Sequence, residues 1–167
     1  MVWLLTLLCM AFIFYMSSRS IESSRSDSAR LIAALNLVDQ EEDLYNENDQ
    51  EMFKLHNSVR KAAHLVLYAS LGALYFVSVY GYFGGVRVSG AIALLFTAFY
   101  GATDEIHQIF THRGAGIIDV LIDTLGGLAG IVVVGVIFFI IEKNKRCKTF
   151  WSYVYDFEPN RRKLWKK

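Results

Sequence analysis

Ionisable side chains lie at the edges of long apolar stretches of the chain, where membrane-spanning helices rarely carry them. The set combines carboxylates, histidines and bases with two neutral polar residues: Arg60, Lys61, His64, Tyr68, Asp104, Glu105, His107, Gln108, Arg113, Asp119 and Asp123. Carboxylates and histidines can transfer protons, both can bind metal ions, and arginine can bind phosphate groups. These residue types therefore indicate acid–base chemistry, metal binding or recognition of an anionic headgroup.

Spacings of three or four residues place several of these side chains on common helix faces. Asp119 and Asp123 share one face. Two further groups have this spacing: Asp104, His107 and Gln108, and Lys61, His64 and Tyr68. Glu105 is rotated by about 100° from its neighbour along the helix, so we expect it to point elsewhere.

Three chemical interpretations remain open. In a metal site, His64 and His107 are the candidate ligands, together with a carboxylate. In a hydrolase or transferase, Arg113 binds a phosphate, and the candidates for acid–base catalysis are Asp104, Glu105, His107, Asp119 and Asp123. In a binding or transport site, no bond is broken, and the candidate recognition residues are Arg60, Lys61, His64, Tyr68, Gln108 and Arg113. The cofactor, if any, stays open.

A purely structural interpretation also fits these residues. Asp119 and Asp123 could pair with Arg113 and Lys61 to lock neighbouring helices together. We expect His56 and His112 to be surface residues, outside the cluster.

Four apolar segments must position the cluster. The chain of 167 residues is 54% hydrophobic and contains a single proline, and its charges fall between the apolar segments. A membrane-spanning helix needs about 20 mostly apolar residues. We predict spans at about residues 2–18, 62–83, 88–103 and 116–141, with the third able to continue helically to Phe110. The predicted fold is an all-α integral membrane bundle of four transmembrane helices, in which the first span is an uncleaved anchor.

The distribution of charge predicts the orientation of the bundle. Residues 142–167 carry nine Lys or Arg against three acids, whereas residues 17–60 carry five bases against nine acids. By the positive-inside rule the basic tail is cytoplasmic, as is the N-terminus, and the polar cluster lies on the outer side. The outer segment 19–60 is predicted to contain a short helix on the outer face, from Ser23 to Val38, and then an acidic solvated loop at 39–51.

Other features predict partners rather than chemistry. The aromatic residues of the basic tail indicate contact with anionic lipid rather than nucleic acid. Gly126 and Gly130 form a G-x-x-x-G pattern that favours close helix packing, as does Gly72, but the pattern leaves the oligomeric state open. Cys9 and Cys147 are predicted to lie too far apart for a disulfide.

The sequence resembles the VanZ-like family of bacterial membrane proteins over about residues 1–141. The family pattern begins with R-K-x-x-H…Y at residues 60–68, although many members have a glutamate where this chain has Leu67. It continues with D-E-I-H-Q at 104–108, an arginine, and D-x-x-x-D-T-x-G at 119–126. Ser17 and Ser18 at the end of the first span also fit.

The resemblance implies a domain at 1–141 followed by a cytoplasmic tail at 142–167, in a multi-pass protein of the cell membrane. The named member of the family confers resistance to teicoplanin, a lipoglycopeptide antibiotic. We therefore expect an envelope protein whose outer-leaflet site binds an amphiphilic or lipid-linked molecule. The alternatives are an intramembrane hydrolase or transferase that acts on a lipid-linked headgroup, and a passive membrane scaffold.

Overall fold

Five helices make up the described part of the protein. The computed structural model describes residues 1–35, 50–110 and 116–143, and contains no strand within them. The helices are α1 (Val2–Ser17), α2 (Ile21–Ala34), α3 (Gln50–Phe83), α4 (Val86–Phe110) and α5 (Ile117–Lys143). The all-α prediction is confirmed, and the third predicted span does continue to Phe110. The basic tail beyond Lys143 lies outside the described residues, as do His112 and Arg113.

Three of these helices, α3, α4 and α5, are long and apolar enough to cross a membrane, which makes the chain a multi-pass membrane protein. The structure leaves the fourth predicted span untested. At 16 residues, α1 is about 24 Å long and falls short of a hydrocarbon core of about 30 Å. Together with Glu22–Ala34 of α2 it would count as a fourth span, but the two helices are bent by 108°.

Successive long helices run in opposite directions, so their ends meet at two levels of the bundle. At one level Ser17, at the end of α1, contacts Asp104 near the end of α4. Lys61 in α3 contacts Asp119 at the start of α5 at the same level. We call this level the polar end. At the opposite end Thr6 contacts Ser78, and the chain turns between α3 and α4 at Gly84, whose φ of 65° favours glycine.

Glycines bring α3 and α5 into backbone contact, as the G-x-x-x-G pattern predicts. A Cβ atom built on Gly126 would lie 2.6 Å from the carbonyl oxygen of Leu65. A Cβ atom on Gly130 would lie closer still to the carbonyl oxygen of Ala69. The close approach fixes the level at which the polar residues of the two helices meet.

The described residues before the second span, 19–35 and 50–60, contain more helix than the sequence predicts, and most of the predicted acidic loop at 39–51 lies outside the described residues. The short helix that we predicted at Ser23–Val38 is α2, and residues 50–60, which we assigned to the outer loop, belong to α3. Ala29 and Ile32 of α2 pack on Met52 of α3 in a small separate core. His56 is buried there, with Nδ1 2.7 Å from the hydroxyl of Ser28, so its predicted surface position is wrong. α2 covers this face of α3, and spacing along α3 alone could not predict that cover.

Candidate functional site

Four buried or half-buried residues of the polar end form what we call the inner cluster: His64, Tyr68, Asp104 and Asp123. Tyr68, Asp123 and Asp104 retain 0%, 2% and 3% of their accessible surface. The His64 ring stacks on that of Tyr68 at a centroid distance of 6.3 Å. Gly101 of α4 packs beside the cluster, and a Cβ atom built on it would lie in ordinary contact with Asp123 and Tyr68, at 3.5 and 3.6 Å.

Asp104 is held in place through one of its two carboxylate oxygens. The hydroxyl of Ser17 donates to Oδ2 at 2.8 Å, and the Gln108 amide donates to the same atom at 3.2 Å. The other oxygen, Oδ1, is buried and accepts no hydrogen bond. A carboxylate oriented by two donors on one side therefore presents its second oxygen to the cluster.

Two further buried oxygens of the inner cluster also make no hydrogen bond, namely Oδ2 of Asp123 and the phenol oxygen of Tyr68. The nearest base to Asp123 is His64, with 3.6 Å between Nδ1 and Oδ1, which is longer than a hydrogen bond. Buried polar atoms almost always have partners, so three such atoms at one place need an explanation.

A small open pocket lies between the inner cluster and the helix ends, with an enclosed space of about 20 Å³. Its lining combines cations, acids, polar groups and one apolar side chain: Arg60, Lys61, His64, Glu105, Gln108, Asp119, Ile122 and Asp123. At the rim, Lys61 forms an ion pair with Asp119 at 3.0 Å, and both side chains are partly exposed. Glu105 accepts a hydrogen bond from the backbone N–H of Gly116 at 3.1 Å.

Most of the residues that we selected from the sequence meet at this pocket or in the inner cluster, but two do not lie as predicted. Glu105 does not point away from the cluster, because it is 6% exposed and lines the pocket. His107 lies outside both, since its Nε2 is 3.0 Å from the hydroxyl of Ser18 and its ring packs on Phe14. Among the described residues, the set that could hold a metal ion consists of His64, Asp104 and Asp123. His107, the second histidine predicted as a ligand, is not part of it. The roles of all these residues stay predictions, and Arg113 lies outside the described residues.

The sequence analysis assigned no role to Ser17 beyond the polar end of the first span. Its hydroxyl is fully buried and bonded to Asp104, which makes it part of the support of the inner cluster. The available signal was a serine at the end of an apolar run, at the level where the acidic residues of the other helices were expected. The family pattern contained this serine as well.

Residues 2–140 match the model of a protein family described as VanZ/LLP1. The match covers most of the chain and every described residue of the site. No curated protein and no solved structure matches the chain significantly.

Proposed function

The chain belongs to the VanZ/LLP1 family, and from that premise we propose that it is a bacterial envelope protein that binds an amphiphilic or lipid-linked molecule at its polar end. A charged group of the headgroup binds at the mouth of the pocket, and the acyl chains remain in the surrounding lipid.

The observation that carries this proposal is the combination of charges in a pocket that opens beside an apolar surface. Arg60 and Lys61 line the pocket and can bind a phosphate or carboxylate group. Near them, Ile118 and Leu121 of α5 are 67% and 56% exposed, and such large apolar side chains are compatible with contact to acyl chains.

The size of the pocket restricts what can enter it. The enclosed space of this pocket is only about 20 Å³, room for about one water molecule, whereas sites for drug-sized ligands have about 300–1,000 Å³. A single charged group of a headgroup can therefore bind at its open mouth, but a whole glycopeptide cannot enter. If the family's link to teicoplanin extends to this chain, the pocket acts on a lipid headgroup or on the region where the antibiotic's acyl chain enters the membrane.

The proposed orientation puts the pocket on the outer side of the membrane. Nine Lys or Arg residues follow Ile141, and such clusters favour the cytoplasmic side. The polar end is at the opposite end of α5 from this tail, so it would face the outer leaflet, where glycopeptides act.

One further observation favours a second candidate function, an intramembrane hydrolase or transferase on a lipid-linked headgroup. His64 and Asp123 lie side by side within the membrane-spanning region, where ionisable residues are costly and usually functional. A passive scaffold is the third candidate, and it predicts that correctly folded variants of the pocket retain full activity.

The test compares charge removal at the two ends of the bundle. The protein is purified into nanodiscs that contain phosphatidylglycerol and phosphatidylcholine, and retained lipid is measured by native mass spectrometry. We expect the wild type to retain phosphatidylglycerol preferentially. Retention should fall about ten-fold in a variant that combines Arg60→Gln with Lys61→Gln, because each cation is a charged hydrogen-bond donor. Arg87→Gln removes an exposed charge at the opposite end and is the matched control.

The same variants are expressed in a susceptible bacterium at matched membrane abundance, and susceptibility to teicoplanin and vancomycin is measured. Protection against teicoplanin that disappears with Arg60 and Lys61 but not with Arg87 supports the envelope function. Equal lipid retention by all variants, together with equal susceptibility, contradicts the proposed site and favours the scaffold.

A further inference from the structure

We propose that His64, Asp104 and Asp123 bind one divalent transition-metal ion at the base of the pocket. Each of these residues can offer one ligand atom, and the three atoms lie within 4.8 Å of one another. A histidine nitrogen and carboxylate oxygens are the ligands of many zinc sites, and three protein ligands leave one position open for a further group.

The distances fit ligands of one ion better than they fit direct pairing. Two ligands of a tetrahedral zinc ion, each at about 2.0–2.1 Å from it, are about 3.4 Å apart. His64 Nδ1 and Asp123 Oδ1 are 3.6 Å apart, which is too long for a hydrogen bond and close to this spacing. The Asp104 oxygen lies within 4.8 Å of the other two ligand atoms, so it has to approach by a side-chain adjustment of the order of 1 Å to reach this spacing.

Independent support comes from the buried oxygens without hydrogen bonds. Asp104 Oδ1 and Asp123 Oδ2 are both fully buried, and each belongs to one of the three proposed ligands. A metal ion that binds Oδ1 of Asp104 and both oxygens of Asp123 would satisfy both atoms at once. The hydrogen bonds from Ser17 and Gln108 to the other oxygen of Asp104 are the kind of outer contact that orients a metal-binding carboxylate.

The excess of carboxylates over cations in the pocket and inner cluster also favours a bound metal ion. Within residues 1–35, 50–110 and 116–143, the pocket and inner cluster contain four carboxylates against Arg60, Lys61 and the half-buried His64. One of the two cations, Lys61, is already paired with Asp119 at the rim. A carboxylate within the hydrocarbon region costs about 2.5–3.5 kcal/mol on insertion scales, and a divalent cation between Asp104 and Asp123 would offset that cost.

The ion would also give the pocket a specific way to recognise its ligand. The side of His64 and Asp123 that lines the pocket would expose the open coordination position to an entering phosphate or carboxylate. This part of the inference rests on the proposed function, whereas binding of the ion itself does not, because it is measured without any amphiphile.

The experiment uses the full chain with an affinity tag that contains no histidine, since a polyhistidine tag binds metal. The protein is purified in detergent, stripped with a chelator, and titrated with Zn²⁺ by calorimetry. We expect one Zn²⁺ per chain, with affinity at least about ten-fold weaker in His64→Ala and in Asp104→Asn. His107→Ala is the control, because His107 lies outside both the inner cluster and the pocket. It should bind Zn²⁺ as the wild type does.

X-ray absorption by the zinc-loaded wild type provides a second measurement that requires no variant. It should show only nitrogen and oxygen ligands, at about 2.0–2.1 Å, with the signature of one imidazole. The inference is overturned if the stripped wild type does not bind Zn²⁺ more tightly than about 10 μM, or if folded His64→Ala binds as tightly as the wild type. Zinc binding without selective retention of phosphatidylglycerol would refute the headgroup proposal and leave the metal site standing. Selective retention of phosphatidylglycerol by protein that binds no zinc would refute the metal site and leave the headgroup proposal standing.

Discussion

The buried polar groups at the two ends of the bundle differ in whether they have hydrogen-bond partners. At the end opposite the pocket, the hydroxyls of Thr6 and Ser78 lie 3.1 Å apart as a hydrogen-bonded pair, and the Tyr80 hydroxyl donates to Glu142. The hydroxyl of Ser89 is an exception there, since it has no hydrogen bond. At the polar end, by contrast, two carboxylates and a phenol each keep a buried oxygen without a partner.

This difference distinguishes polar groups that join two helices by hydrogen bonds from buried polar groups that do not. One hydroxyl pair and one phenol–carboxylate pair join helices at the opposite end, so packing does not require a cluster of acids. Orphaned carboxylate oxygens cost free energy, and among the described residues of α3, α4 and α5 those of Asp104 and Asp123 lie at the polar end. That contrast supports the proposal that the polar end binds a ligand and that the opposite end is structural.

The largest effect should come from a change that disturbs both ends at once. Gly130→Ala places a Cβ atom against the backbone of Ala69, so α3 and α5 must separate. We expect a loss of about 3 kcal/mol of unfolding free energy, measured by denaturation in detergent micelles. Gly85→Ala is the control, because nothing lies within 4 Å of its new Cβ atom, and it should change stability by less than about 0.5 kcal/mol. Equal stability of the two variants would refute the close backbone contact.

The contrast between the two ends is tested directly by removing polar groups from one end at a time. In metal-free protein, Asp123→Asn should raise the unfolding free energy by about 1 kcal/mol, because a buried charge is replaced by a neutral group of the same shape. The same variant should lose zinc binding and lipid selectivity. Ser78→Ala, which removes one partner of the buried hydroxyl pair, should lower stability by about 1 kcal/mol and leave both kinds of binding intact. If both variants shift stability in the same direction, the distinction between the two ends fails.

A smaller effect is expected from the support of Asp104. Ser17→Ala removes the donor at 2.8 Å and should weaken zinc binding about ten-fold, without changing the stoichiometry. Ser17→Thr keeps a hydroxyl and should restore most of the affinity. Ser18→Ala is the neighbouring control, since that hydroxyl contacts His107. Unchanged affinity in Ser17→Ala would mean that this hydrogen bond does not orient a ligand.

The smallest effect should come from the ion pair at the rim. The side chains of Lys61 and Asp119 are 42% and 27% exposed, so water screens their attraction. Asp119→Asn should therefore lower the unfolding free energy by less than about 1 kcal/mol, and the difference should shrink in high salt. A larger, salt-independent loss would show that the rim helps to hold the bundle together.

Apolar runs and helical spacing predicted much of this arrangement because both are local properties of the chain. Asp119 and Asp123 do point inward from α5, as their spacing indicates. Spacing gives the angle between two side chains on one helix, but it does not give the positions of the neighbouring helices. α4 is surrounded by α1, α3 and α5, so Asp104 and Glu105 are both buried although they point about 100° apart. His107 points toward α1 for the same reason.

The hydrogen bonds of α1 have a consequence for biogenesis. This helix leaves the ribosome before its partners, because Ser78, Tyr100 and Asp104 lie far downstream in the chain. During synthesis Thr6 can satisfy its own hydroxyl by bonding to the carbonyl of Val2, but the contact that orients Asp104 forms only after α4 has been inserted. The order of translation thus makes the completion of the polar site a late event, because α1 can contact Asp104 only once α4 has been inserted.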